Sequence, residues 1–244
     1  MGIPEPFTIG TVTIYNCDCL ELLRTFKDKE FDLADCDIPY GMAGKWRASE
    51  TGIGGFTLKP EEIDALNEWD TLPPDEYFSE LKRVAKHRIV WGGNYCLSKL
   101  GDMCRGPIIW DKGQHGFTLA DGEFAWNDFD KPLRICPCGK SIRSADKKNN
   151  AGNRIHPTEK PVYLYRWVLE RYAKKGDRIL DTHLGSGTHA IACLMMGFEL
   201  VACELSKEYY EKAIEKILRW QESHQEMFDI KDREIISFKQ GDLF

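Results

Sequence analysis

The passage from Arg178 to Glu204 leaves the chain few architectures. Arg178-Ile179-Leu180-Asp181 reads as a buried strand, Gly185-Ser186-Gly187 as a tight turn, and the residues after it as a helix to Met196. A second apolar run, Phe198-Glu199-Leu200-Val201-Ala202-Cys203, ends in Glu204. Strand, glycine turn, helix and strand make a crossover, the connection that joins parallel strands in an open α/β sheet. The glycines let backbone approach a ligand closely. Glu204 stands about 20 residues past the turn, where a carboxylate can hold a ribose diol. The turn lacks the third glycine of the dinucleotide fingerprint, which argues against a nicotinamide-dependent oxidoreductase.

A second strand end carries the chemistry. Phe31-Asp32-Leu33-Ala34 reads as a buried parallel strand, and Asp37-Ile38-Pro39-Tyr40 follows it, where open α/β sheets place ligands. Asp37 can accept a hydrogen bond from a substrate NH2. The Ile38 carbonyl, extended because a proline follows, can accept the second hydrogen, and Tyr40 can stack on a flat ring. Read alone, the tetrapeptide is more readily a turn.

The remaining elements surround these two. Residues 9–16 alternate like a single strand, and Asp18 caps a short helix through Leu23. Residues 41–60 are glycine-rich and too long for a plain connector, so a lid or binding loop is expected. Pro73-Pro74-Asp75-Glu76-Tyr77 opens a helix to about His87. Arg88-Ile89-Val90-Trp91 reads as a strand ending in Gly92-Gly93-Asn94-Tyr95, and residues 107–111 as another. Residues 121–126 fit a strand or a turn. Pro161 opens a helix through about Ala173 with Leu164, Val168 and Leu169 on one face, and a last helix covers Lys207 to Glu222.

With 244 residues the chain can bury one substantial core, so a single domain over 1–244 is expected. Hydrophobic content of 42% and charged content of 30% are those of a globular protein, and no apolar run is long enough to cross a membrane. Nine cysteines, an odd number scattered along the chain, suit a reducing cytoplasm. Cys136-Pro137-Cys138 lacks the second pair a zinc site needs, so no metal is expected. The net charge of −6 offers nucleic acid no general attraction. One stretch does: Lys131, Arg134, Lys140, Arg143, Lys147, Lys148, Arg154 and Lys160 face only Asp146 and Glu159. Phosphate contacts would use it.

Three ordered motifs resemble those of the DNA amino-methyltransferases. Asp37-Ile38-Pro39-Tyr40 is similar to their Asp-Pro-Pro-Tyr catalytic motif, and Asp181 through Thr188 to their S-adenosylmethionine loop, Asp-Pro-Phe-x-Gly-Ser-Gly-Thr. His156-Pro157-Thr158-Glu159-Lys160-Pro161 resembles their His-Pro-Thr-Gln-Lys-Pro. Trp91-Gly92-Gly93-Asn94-Tyr95, Trp110-Asp111-Lys112 and Asp121-Gly122-Glu123-Phe124-Ala125-Trp126 look like a phage and prophage branch. The likeness spans nearly the whole chain, in the permuted motif order of the β group.

The resemblance implies a Rossmann-like class I methyltransferase, with a seven-stranded, mostly parallel sheet and helices on both faces. S-adenosylmethionine would contact Asp18, Cys19, Asp37, Thr158, Lys160, Pro161, Asp181, Thr182, His183, Leu184, Gly185, Ser186, Gly187, Thr188, Glu204 and Leu205. Asp18 would meet the adenine, Glu204 the ribose, and Asp181 with its turn the methionine. The target base would be flipped from double-stranded DNA onto Tyr40. Trp91 and Asn94 would border it, beside the plainer readings of core packing for Trp91 and a turn for Asn94. Lys45 and Arg47 would grip the phosphates around it, and residues 111–155 would form a target-recognition insertion. Two departures stand out: Ile38 replaces a proline, and Thr182-His183 replaces Pro-Phe. The expected reaction is methylation of adenine N6, with cytosine N4 or a catalytically weakened binder as alternatives. Gln240-Gly241-Asp242-Leu243-Phe244 resembles the peptide that docks bacterial proteins on the replication sliding clamp, beside the plainer reading of a terminal strand. Monomer and homodimer both remain open.

Overall fold

The computed structural model describes residues 2–42, 64, 70–101, 105–113, 120–137, 155 and 159–224. In chain order the strands are β1 Phe7–Ile9, β2 Val12–Asn16, β3 Phe31–Asp37, β4 Ala85–Trp91, β5 Ile108–Asp111, β6 Gly122–Asn127, β7 Arg134–Cys136, β8 Arg178–Asp181 and β9 Glu199–Glu204. The helices are α1 Cys19–Leu23, α2 Asp75–Val84, α3 Leu97–Leu100, α4 Val162–Tyr172, α5 Thr188–Met196 and α6 Lys207–Ser223. All the strands join one sheet in the order β1-β2-β9-β8-β3-β4-β6-β5-β7. From β2 to β4 the pairings are parallel, while β6 runs antiparallel to both of its neighbours.

Alternation along the central strands sorts the core into two layers. Leu33, Ile89, Trp91, Ile179, Leu200 and Ala202 face α4, α5 and α6. Ala34, Cys36, Val90, Leu180 and Val201 face Tyr77, Phe78 and Leu81 of α2 with Leu23 and Leu100. Successive residues of a strand point to opposite faces, so helices cover both sides of the sheet, as expected. The order reverses between β8 and β3: the chain leaves β8 for β9 on one side and β3 for β4 on the other. Ligands of open α/β sheets bind at such a switch point, beyond the carboxyl ends of the strands.

Several expectations change. Among the described residues the sheet has nine strands where seven were expected. Residues 9–16 are not one strand, because Gly10 (φ +55°) and Thr11 turn the chain into the β1–β2 hairpin. Helix α2 stops at Val84, short of His87, and β4 begins at Ala85 without a loop. Lys29 makes this abrupt junction workable, since its ammonium donates to the carbonyls of Lys82 at 2.7 Å and Ala85 at 2.8 Å. Carbonyls at a helix C-terminus need such partners. Within 111–155, residues 122–127 are a strand of the main sheet, and β7 forms inside the basic stretch as an edge strand paired to β5. The rest of the candidate lid after Met42, the clamp-like tail 240–244 and most of the basic stretch lie outside the described residues.

Candidate functional site

A cavity of about 570 Å³ opens at the switch point. Asp37, Ile38, Pro39 and Tyr40 line one side. Asp18, Cys19, Thr182, His183, Leu184, Gly185, Ser186, Thr188, Glu204 and Leu205 line the other, with Lys160 between them. Its size falls within the range of small-molecule sites, about 300–1,000 Å³.

Each wall follows from local sequence. Asp18 Oδ1 accepts the backbone N–H groups of Leu20 at 2.8 Å and Glu21 at 3.0 Å, capping α1 as its residue type predicts. Glu204, at the end of β9, accepts Gly185 N and Ser206 N at 2.9 Å each, which ties the glycine turn to the neighbouring strand. Burial raises its pKa. Gly187 (φ +78°) precedes α5, and a Cβ there would meet Ala213 and Ile217 of α6 at 3.2 Å.

The catalytic motif is held from behind. Asp70, a residue without sequence signal, accepts the N–H groups of Tyr40, Gly41 and Met42 at 2.6, 3.1 and 3.0 Å. Ile38 is buried in the α2-side core, so packing holds the position where the resembling family has proline. Asp37 is 18% exposed. Its Oδ1 lies 2.5 Å from Lys160 Nζ and accepts the Tyr40 hydroxyl at 3.0 Å. The same ammonium lies 2.9 Å from Glu123 Oε2 and donates to the Tyr40 oxygen at 3.0 Å. Lys112 pairs with Glu123 from the outside. Burial is the main cause that raises Asp37's pKa; Lys160 opposes it and Glu123 adds to it. Although burial disfavours its charge, Lys160 is held above the usual lysine range by Asp37 and Glu123. Against its own burial, Glu123 is held down to about 2 by Lys160 and Lys112.

Tyr40's ring is not an open platform here. It stacks on Tyr95 with centroids 5.2 Å apart and planes 22° apart. It also lies so close to Gly92 that a Cβ there would fall 2.1 Å from Tyr40 Cε1. Tyr95, half exposed, and Glu123 both sit inside motifs that the sequence resemblance covers, yet neither was singled out.

Other expected residues fall elsewhere. Asp181 is fully buried behind the cavity wall, where Oδ1 accepts His183 N at 3.0 Å and Oδ2 meets His189 Nδ1 at 2.9 Å. Gly187 and Pro161 are not among the cavity-lining residues; they precede α5 and α4. Trp91 is also fully buried, donating to Asp35 Oδ1 at 3.0 Å, which corrects its assignment as a DNA contact: the indole belongs to the core beneath the site. Asn94 is exposed on the turn after β4. His183 packs edge-on against Tyr77 with centroids 5.5 Å apart. Thr182 Oγ1 bridges it, 2.7 Å from the Tyr77 hydroxyl and 2.9 Å from His183 Nδ1. Burial pushes the His183 pKa down to about 4, so the ring is neutral at pH 7. Thr158, Lys45, Arg47, Lys140, Arg143, Lys147, Lys148 and Arg154 lie outside the described residues.

Comparison with known proteins places this geometry. A DNA methylase family model of the N6/N4 group matches residues 109–216. The protein YubD of Escherichia coli (strain K12) is 32% identical over 227 residues, covering 86% of this chain and 91% of the relative. The chain belongs to the N6/N4 DNA methylases. The type II methyltransferase M.HinfI of Haemophilus influenzae is 25% identical to this methylase over 246 residues, covering 85% and 68% of the two chains. Among solved structures, the M1.HpyAVI–SAM complex shares the fold at 18% identity and TM-score 0.53, covering 84% and 98%. The cytosine-N4-specific PvuII DNA methyltransferase does so at 15% identity and TM-score 0.55, covering 87% and 89%.

Proposed function

We propose that this methylase transfers the methyl group of S-adenosylmethionine to the exocyclic amine of a base flipped out of duplex DNA, adenine N6 before cytosine N4. The observation that carries the reading is the shared cavity: Asp37-Ile38-Pro39-Tyr40 and the glycine turn with Glu204 line one space. The cavity fits the cofactor. Asp18, for the adenine, and Glu204, for the ribose, both line it, and Gly185 is open, a Cβ there meeting only His183 O at 3.9 Å. When bound, S-adenosylmethionine supplies an electrophilic methyl on a sulfonium.

The chain's own residues do the rest. Asp37 and the Ile38 carbonyl accept the two amine hydrogens and aim the nitrogen lone pair, and positioning with electrostatics carries the rate. Tyr40 offers the stacking face once Tyr95 yields it or shares it. Asp37 takes a proton from the amine as methylation makes it acidic. The departures from the family pattern support an active enzyme rather than a weakened binder, because Ile38 is packed and Thr182-His183 is matched by Tyr77.

DNA would be gripped through the basic residues between Lys131 and Lys160 and the residues after Tyr40, with sequence choice in 111–155. Residues 240–244 would dock on a sliding clamp, an idea that ends if Leu243→Ala and Phe244→Ala leave clamp capture unchanged. No described helix is long and apolar enough to cross a membrane, which accords with work in the cytoplasm. The test is incubation with labelled S-adenosylmethionine and unmethylated duplex DNA, followed by nucleoside mass spectrometry. N6-methyladenine supports the reading, N4-methylcytosine changes the base, and no methylated nucleoside overturns it.

A further inference from the structure

We propose that Glu123 is a positioning residue for methyl transfer: it draws on the charge of Lys160, so that Asp37, anchored through Oδ1, meets the target amine through Oδ2 with more of its negative charge left for the amine. The proposal rests on the methyltransferase reading above. Among the described residues, the contacts of Asp37 fall on Oδ1, from Lys160 Nζ at 2.5 Å and the Tyr40 hydroxyl at 3.0 Å. Both anchors also touch Glu123 Oε2, at 2.9 and 3.1 Å. The carboxylate on β6 thus fixes the two groups that fix Asp37.

Charge matters as much as geometry. Lys160 is 1% exposed and Glu123 16%. Alone, Asp37 and Lys160 would form a neutral pair with little field for an amine that turns cationic as the methyl arrives. Adding Glu123 makes the trio Asp37, Glu123 and Lys160 net negative, and a preorganised negative field stabilises a developing cation most where water is excluded. Lys112, 25% exposed, pairs with Glu123 and offsets part of that charge, while Lys160 touches both carboxylates. The other titratable groups facing Asp37 are Tyr40, Tyr165 of α4 and Asp35 on its own strand.

Glu123→Gln tests this. The turnover number should fall by about 10- to 100-fold, with S-adenosylmethionine affinity unchanged and Glu123→Asp restoring much of the rate. The acid limb of the kcat/KM profile should move to lower pH, because a like charge has left Asp37's surroundings. A purely structural role would cost stability and leave that limb in place. Glu123→Gln/Lys112→Met removes one charge of each sign and should stay slow; recovery would assign the defect to Lys112 and overturn the proposal. The double variant also serves if the single one does not fold. Independently of turnover, 13C NMR titration of the Asp37 carboxyl, assigned with Asp37→Asn, should show a lower midpoint in Glu123→Gln. An unmoved midpoint in an active enzyme overturns the role of Glu123 alone. Absence of DNA methylation by the wild-type protein sinks the methyltransferase reading itself.

Discussion

Lys216→Met should be among the most damaging single changes outside the cavity. Lys216 lies on α6, 1% exposed, with Nζ 2.6 Å from Glu159 Oε1, and Glu159 is itself 5% exposed. Glu159 Oε2 also accepts Ile155 N at 3.2 Å. The resembling motif has glutamine where Glu159 stands, so the buried lysine answers a charge that glutamine would not carry. At an effective dielectric of about 20, charges 2.6 Å apart attract by about 6 kcal/mol. Desolvating both ions offsets much of that attraction. Removing one partner instead strands the other, at about 3–5 kcal/mol. In urea unfolding monitored by circular dichroism, Lys216→Met should therefore lose about 3–5 kcal/mol. Lys216→Met/Glu159→Gln, which restores the family's residue, should be more stable than the single variant by about 1–3 kcal/mol. Because Glu159 adjoins Lys160, whose carbonyl accepts Thr188 Oγ1 at 2.8 Å, the single variant should also raise the KM for S-adenosylmethionine. A single-variant cost below about 1 kcal/mol, or equal losses in single and double variants, would refute the argument.

Two further outcomes follow from geometry and burial. Gly92→Ala puts a Cβ 2.1 Å from Tyr40 Cε1 at a backbone with φ +71°; displacing the tyrosine should lower kcat about 100-fold with the fold intact by circular dichroism. Activity within twofold of wild type would show that Tyr40 need not occupy that place. His183, pushed from 6.5 down to about 4 by burial, stays neutral in the folded protein while the unfolded chain takes up its proton below 6.5. Stability from this residue is therefore present above pH 6.5 and lost as pH falls through 4, by about 3 kcal/mol in all. His183→Phe should gain on wild type by that amount in urea midpoints measured from pH 7 down to 4, whereas parallel curves would contradict the assignment.

Strong local signals made much of the fold legible. The β8–α5–β9 crossover, the α4 helix behind Pro161 and the Asp18 cap all form where their residues place them. Boundaries blurred where long-range contacts decided them. Lys29, far away in sequence, ends α2 at Val84, and Gly10-Thr11 hid a hairpin inside an alternating run. In the site, residues with a motif were found, and those acting through others were not. Asp70 reaches the Tyr40–Met42 amides from about 30 residues away with no pattern to announce it. Glu123 was visible as part of a motif, but its value depends on a buried ammonium supplied 37 residues later, between Glu123 and Lys160. Trp91 read as a pocket residue because aromatic rings beside glycines suit both roles; only its burial decides for the core.

One cavity should hold the methyl donor while Asp37 handles the amine, and Asp37→Ala separates the two roles. Cofactor affinity is measured by calorimetry beside single-turnover transfer to duplex DNA for wild type and variant. S-adenosylmethionine should still bind the variant, and methylated nucleoside should come from the wild type alone. Transfer by the variant at the wild-type rate would contradict this, as would a wild-type protein that binds the cofactor and methylates no base.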